Sequence, residues 1–502
     1  EDIIWKTTKY GQERREADMK KNKILTTMII LITAIIGIRT ESSAANYSYL
    51  GWDIGDGIVY EYRDEIDGYA IVDTYPDLEE VVIPDKYLGK RVLQMDYGVF
   101  QNNHNLKKIT FNKYISEVNF DTFQNCVSLE EVVFNGNIKS IDQEAFSGCT
   151  ALEKVTAKGS IDLIRWHAFY GCSALEKVTC KSIKVVGTAA FYGCSALEKV
   201  TCKNIKSVGA GAFEGCEKLT EIPSVKTIQS YGEGAFEGCK SLTKVTFKKG
   251  ARIGKTAFQD CENLEYVKIN TPAKYMENCG ISGFSGTKWL QKHINKKKNL
   301  VMNGVLLYGG ALKGDAVLSG KKYKMIAGKA LQDNKNITSL TIKNVHYIAE
   351  NILGNCTVKN ITLIQTKKKY STNYIRFIGW GNHIKKLTLD VNSEVIRYPG
   401  ECDVLILGKH IDTVVYDTTP IMLKILKFQT KKIVEFYPNK VDFPNEKSYI
   451  FKGEKNLRHI YFKAKKPSPT IKQQFSKKVT LHVPKESKKI YKKYAKCKVV
   501  AR

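Results

Sequence analysis

The stretch AFYGCSALEKVTC occupies residues 168–180 and recurs unchanged at 190–202. An exact echo 22 positions on means that two segments meet the same surroundings. Aligning the chain on the phrase A-F-x-x-C extends the pattern. Phe100, Phe123, Phe146, Phe169, Phe191, Phe213, Phe236 and Phe258 follow one another at intervals of 23, 23, 23, 22, 22, 23 and 22 residues. A fixed period in the twenties predicts a solenoid, in which each repeat is one rung.

Three residues after each phenylalanine comes a column that reads Asn103, Cys126, Cys149, Cys172, Cys194, Cys216, Cys239 and Cys261. Three further on is leucine, Leu106 through Leu264, and then a β-branched position such as Ile109, Val132, Val178 or Val245. The alternation L-x-x-V-x-φ predicts one short strand per rung. A single rung is too small to bury its own apolar side, so neighbours must stack and share one core. The last strand position (Phe111, Phe134, Ala157, Cys180, Cys202, Ser224, Phe247, Ile269) is then an inward column, which makes Cys180 and Cys202 packing residues. Pairs such as Ile115/Val118, Ile138/Ile141 and Ile183/Val186 form a second apolar edge.

The 13 cysteines raise the question of disulfides. One thiol per rung gives a row spaced about 4.8 Å with parallel Cα–Cβ vectors, whereas a disulfide needs Cβ atoms about 3.8 Å apart and turned together. Free, buried thiols are therefore expected, acting as small hydrophobes with a weak donor. No C-x-x-C or H-x-x-x-H spacing suggests zinc, and neither a metal nor any other cofactor is expected.

Phrases such as VGTAAFYGCSALEKVTC, IDQEAFSGCTALEKVTAKG and IGKTAFQDCENLEYVKI resemble the BspA-like leucine-rich repeat proteins of bacterial surfaces. The resemblance is clear over residues 95–360. It implies a leucine-rich repeat solenoid of short parallel strands, one per 22–23-residue rung, capped at both ends, and a role in adhesion at the cell exterior without catalysis.

The rest of the chain divides around this array. From Met19 a basic segment, fifteen uncharged residues (Ile24 to Ile38) and Ser43-Ala44-Ala45 compose a secretory signal at 19–45, too short to span a bilayer. Residues 1–18 read as a translated leader, because Glu13-Arg14-Arg15 can be encoded by a purine-rich ribosome-binding sequence; the source is then bacterial. Residues 46–99 form an N-terminal cap, acidic and rich in Tyr and Gly. Its Asp53, Asp56, Asp64, Glu65 and Asp67 match no calcium loop and read as a solvated hairpin surface. The regular array at 100–270 gives way to an insertion and hairpin at 271–310. A worn array follows at 311–465, with Leu331/Asn334 and Leu353/Cys356 in place of Phe/Cys and a looser copy at Ile378. A strand-helix cap closes the chain at 466–502, and with no sorting signal in view any attachment to the cell is expected to be noncovalent.

Charge is uneven. Residues 121–260 are nearly balanced, with 18 Lys+Arg against 15 Asp+Glu, whereas residues 261–502 hold 46 against 17. The basic half favours anionic partners such as a phosphate-bearing wall polymer, although scattered lysines also serve solubility. The eight histidines are dispersed, and no G-x-S-x-G, Walker or H-E-x-x-H motif occurs. The candidate binding surface is the outward strand face: Thr110, Thr156, Thr179, Thr201 and Thr246 in one column, flanked by Lys108, Lys154, Lys177, Lys199 and Lys244. The chain is thus expected to be a secreted or surface-held monomer that binds a host or cell-surface protein or glycan. An enzyme or enzyme subunit with its site in 391–465 is the alternative from another class, and nonspecific polyanion binding by the basic half is a third. Exported protein is expected to begin at Asn46 on N-terminal sequencing; a secreted product that keeps Met19 to Ala45 refutes the signal reading.

Overall fold

The computed structural model describes residues 52–55, 57–269, 280–295, 298–349, 351–365, 384–391, 395–397, 402–409, 411, 413–416, 423–430, 435–438, 457–467, 477–495 and 497–502. The leader, the signal segment, Asn46, Asp56, residues 271–279, Ile378, His383 and His410 lie outside the described residues. No described helix is long and apolar enough to cross a membrane.

The chain winds as a parallel-strand solenoid of about 14 turns. Two parallel sheets run along the regular array. One joins Glu80–Val82, Lys108–Phe111, Glu131–Phe134, Lys154–Ala157, Lys177–Thr179 and Lys199–Thr201. The other stacks seven short strands, from Glu117–Val118 through Ile138–Ile141, Ile161–Ile164 and Ile183–Val186 to Arg252–Ile253. Successive strands pair in register, Val155 with Val178 and Val178 with Val200, so equal positions of the repeat stand in columns.

Between the sheets the phenylalanines stack. Phe100, Phe123, Phe146, Phe169, Phe191, Phe213 and Phe236 follow at centroid distances of 4.9, 5.0, 5.1, 5.1, 5.1 and 5.1 Å. Phe258 continues the stack, and so does Phe284, 5.9 Å from Phe258, from inside the stretch that breaks the sequence rhythm. The insertion therefore returns to the stack before Trp289 and the helix Lys288–Asn295 cover it. At one corner the backbones of successive rungs come close: a Cβ on Gly232 would lie 2.4 Å from the Gly209 carbonyl carbon, so no side chain fits there.

The N-terminal cap is a five-stranded sheet whose Tyr60, Ile71, Val92 and Met95 are buried against the first rung. Of its acidic residues, Asp67 accepts from the Tyr62 hydroxyl and pairs with Lys90. After the insertion, Asn299–Met302 and Val305–Gly309 form the expected hairpin, turned by Asn303 and Gly304, both at positive φ. The weak repeats are more regular than they look. A nine-stranded parallel sheet runs from Gly314–Ser319 through Ile337–Lys343, Asn360–Gln365, Ile384–Val391, Cys402–Leu407, Ile425–Phe428, His459–Tyr461 and Thr480–Val483 to Lys498–Ala501. The last two strands thus extend the solenoid itself, and Tyr491 of the helix Lys488–Tyr494 is buried, its hydroxyl donating to the Ala464 carbonyl at 3.0 Å.

Removing one ring from the middle of the stack leaves a cavity that neighbouring rungs cannot close. Phe191→Ala is expected to cost about 3–5 kcal/mol in urea unfolding of the full chain, and a loss under about 1 kcal/mol would show that the stack does not hold the rungs together.

Candidate functional site: the strand face and its lysine edge

The predicted threonine column exists over part of its length. Register pairs Thr110 with Val133, Val133 with Thr156, Thr156 with Thr179 and Thr179 with Thr201. There the sheet ends. The next rung carries Pro223 where Thr201 stands, and proline has no N–H to give a parallel ladder and constrains the residue before it. Thr246 belongs to a separate two-stranded sheet, beside Lys268. The break is confined to this face, because the second sheet runs through the same rung at Ser230–Tyr231.

The flanking lysines are mostly engaged. Lys108 and Lys154 both pair with Glu131, at 2.7 and 3.1 Å, and together hold its carboxyl below the usual range. Lys199 lies 3.4 Å from Glu221, and Lys244 sits 5.0 Å over the Tyr266 ring. Lys177 and Lys244 form no ion pair among the described residues.

Sequence reasoning missed the column at the turn that follows the strand. Lys158, Lys181, Lys203 and Lys248 occupy it, Val225 holds the same position on the rung that Pro223 breaks, and Lys226 and Lys249 each follow one residue later. All six are exposed, and none forms an ion pair among the described residues. The signal was present in Ala157-Lys158, Cys180-Lys181, Cys202-Lys203 and Phe247-Lys248, with Ser224-Val225 and then Lys226 on the rung between. It was hidden because the aligned strand ended one residue earlier. Where Pro223 breaks the sheet, a cleft of about 480 Å³ opens among Lys199, Lys203, Asn204, Ser224, Lys226 and Thr227. A second one of about 530 Å³ is lined by Lys226, Thr246, Phe247, Lys248 and Lys249.

The Asn/Cys column is structural. Each thiol from Cys126 to Cys261 donates to the carbonyl of the phenylalanine one rung back, for example Cys149 to Phe123 at 3.0 Å and Cys194 to Phe169 at 3.1 Å. Asn103 begins the column differently: its Oδ1 accepts from the N–H groups of Asn105 and Leu106 at 3.0 Å each. Asn334 repeats the device in the second array, and its Nδ2 also donates to the Gly309 and Leu312 carbonyls at 2.9 Å. Burial pushes the column thiols up, Cys261 to about 12.

Cys202 is the exception. It is half-buried at the cleft, 3.8 Å from the Ser224 hydroxyl, and hydrogen bonds from Cys180 and then Ser224 hold its thiol below the usual range. The twelve described cysteines are all free. The structure also joins two histidines that are far apart in sequence: His459 Nδ1 and His482 Nε2 are 3.1 Å apart on adjacent strands, with Tyr461 stacked on His482 at 4.2 Å. Among the described residues no three metal-ligating side chains converge.

Each rung of the regular array adds a second short strand to the one the sequence predicted, and this architecture, parallel strands stacked in register with one Asn/Cys position per rung, is that of a leucine-rich repeat solenoid. The chain belongs to the BspA type leucine rich repeat region family, which it matches in six copies over residues 65–198, 184–303 and 316–379. Among solved structures it is similar to a leucine-rich repeat protein from Bacteroides ovatus, at 16% identity over 89% of this chain and 99% of that one, with a TM-score of 0.36. A leucine rich cell surface protein from Faecalibacterium prausnitzii is 14% identical over 81% of this chain and 98% of its own, with a TM-score of 0.36. The leucine rich repeat protein of T. pallidum is 22% identical over 47% and 97%, with a TM-score of 0.28. No curated protein matches the chain.

The thiols supply a test. In the folded protein, iodoacetamide near neutral pH is expected to modify Cys202 first, because its lowered pKa and half-exposure give it the larger accessible thiolate fraction. The column thiols should react only after denaturation. Equal labelling of Cys172 and Cys194 in the native state, or recovery of cross-links between them, would overturn this assignment.

Proposed function

We propose that the chain is exported and works outside the cell as an adhesion-type protein that binds a macromolecule along its strand face and performs no chemistry on it. The observation that carries this reading is the register. Five in-register strands from Lys108–Phe111 to Lys199–Thr201 hold Thr110, Val133, Thr156, Thr179 and Thr201 at one-rung intervals over a packed core. Such a surface is rigid before it meets a partner, so little ordering cost opposes binding. Membership in the BspA type family supports a binding role, and the basic, apolar and small-residue segments between Met19 and Ala45 support export. The partner class is a host or cell-surface protein or glycan.

The test is an array of host proteins and glycans probed with the full chain and with a Thr156→Arg/Thr179→Arg variant. A bulky charge at both positions is expected to weaken the captured interaction about tenfold or more, with thermal unfolding unchanged. Capture of no macromolecule at all, or turnover of an array component, would defeat the proposal.

A further inference from the structure

The lysine column at the end of the strand face is an electrostatic oddity. Several cations of the regular array are matched across rungs, Lys108 and Lys154 with Glu131, Arg165 with Asp142, Lys184 with Asp162 and Lys240 with Glu217, while others such as Lys177 and Lys206 stand singly among the described residues. Lys158, Lys181, Lys203, Lys226 and Lys248 fall on successive rungs, Lys226 one residue past the repeat position of the others, with no ion pair among the described residues, in a region whose net charge is small. Rung spacing of about 4.8 Å places their stems close enough to repel. A row of unmatched like charges on a regular pitch is complementary to a linear polymer that carries acid groups along its length.

We propose that this edge, from Lys158 to Lys249, binds a linear acidic glycan, with the two clefts beside Lys226 seating part of the chain. This rests on the binding role argued above and names its ligand class. Three observations favour sugar over nucleic acid. Small polar side chains accompany the cations: Ser160, Ser182 and Asn204 follow Lys158, Lys181 and Lys203, and Ser182 Oγ already bonds Ser160 Oγ at 2.9 Å. They match a polymer rich in hydroxyl groups. The clefts are lined by Ser224, Thr227, lysines, apolar residues such as Ile222 and Pro223, and one carboxylate, Glu221, which Lys199 meets at 3.4 Å; the one aromatic residue in them, Phe247, is fully buried. Bases would therefore find no ring to stack on. Finally, Pro223 replaces a strand with a turn at the centre of the row, which turns a flat sheet margin into a cavity.

The full chain is tested by biolayer interferometry against immobilised heparin (sulfate-bearing), polygalacturonate (carboxylate only), neutral dextran and single-stranded DNA. Lys181→Gln/Lys203→Gln/Lys226→Gln is compared with Lys485→Gln/Lys488→Gln/Lys489→Gln, which removes equal charge from the basic terminus. Binding to heparin or polygalacturonate, absent for dextran, should fall about tenfold or more and lose salt sensitivity in the first variant. The second should change it less than about twofold. The two acidic glycans separate a sulfate from a carboxylate preference, and either preference supports the proposal. Equal losses in both variants, no loss in the first, or tighter binding to DNA than to either acidic glycan would overturn it. If neither acidic glycan binds while the array still captures another macromolecule, this inference fails and the binding role stands; if nothing binds in either experiment, both fail.

Discussion

Everything in this protein depends on the contact between one rung and the next. A rung of 22 or 23 residues buries nothing alone, and its polar backbone must be satisfied by neighbours. Two interactions meet this need at the same place. The Phe100 to Phe284 stack supplies apolar area, and the thiols of Cys126 to Cys261 donate to the phenylalanine carbonyls one rung back. The phenylalanine is thus held by its ring and by its carbonyl, and the rung pitch follows from that double attachment.

The same dependence explains why cysteine is used so freely along this column. The position needs a side chain small enough for a closed corner and able to donate one hydrogen bond. Burial that suits the thiol for packing also raises its pKa and removes its reactivity. Cys202, from the same repeated phrase, stands at the end of the strand and not in this column, and there it is only half-buried.

Regularity makes the surface as well as the core. Register converts any residue type that recurs in the repeat into a straight row, so a small preference in the sequence becomes an extended physical feature. The outward threonines, the Lys–Glu pairs and the unmatched lysines are three such rows on one side of the molecule. Pro223 interrupts only the row that needs its N–H, while the second sheet carries the solenoid past it. A local backbone defect therefore shapes the surface without breaking the fold.

The period of the phenylalanines alone determined the fold class, the inward columns and the place of the cysteines, because residue spacing in a solenoid is the same thing as spatial neighbourhood. Family resemblance rested on the same letters. What the letters could not decide lies where two rungs must be compared in space. Phe284 rejoins the stack across a 26-residue gap, the worn repeats to Lys498–Ala501 keep register through backbone pairing that tolerates almost any side chain, and His459 meets His482. Which lysines are free was also undecidable from sequence: Lys154 and Lys158 look alike there, and only the position of Glu131 on the adjacent strand shows that one is matched and the other is not. Charge pairing is set by distances between rungs, and those exist only once the chain is wound.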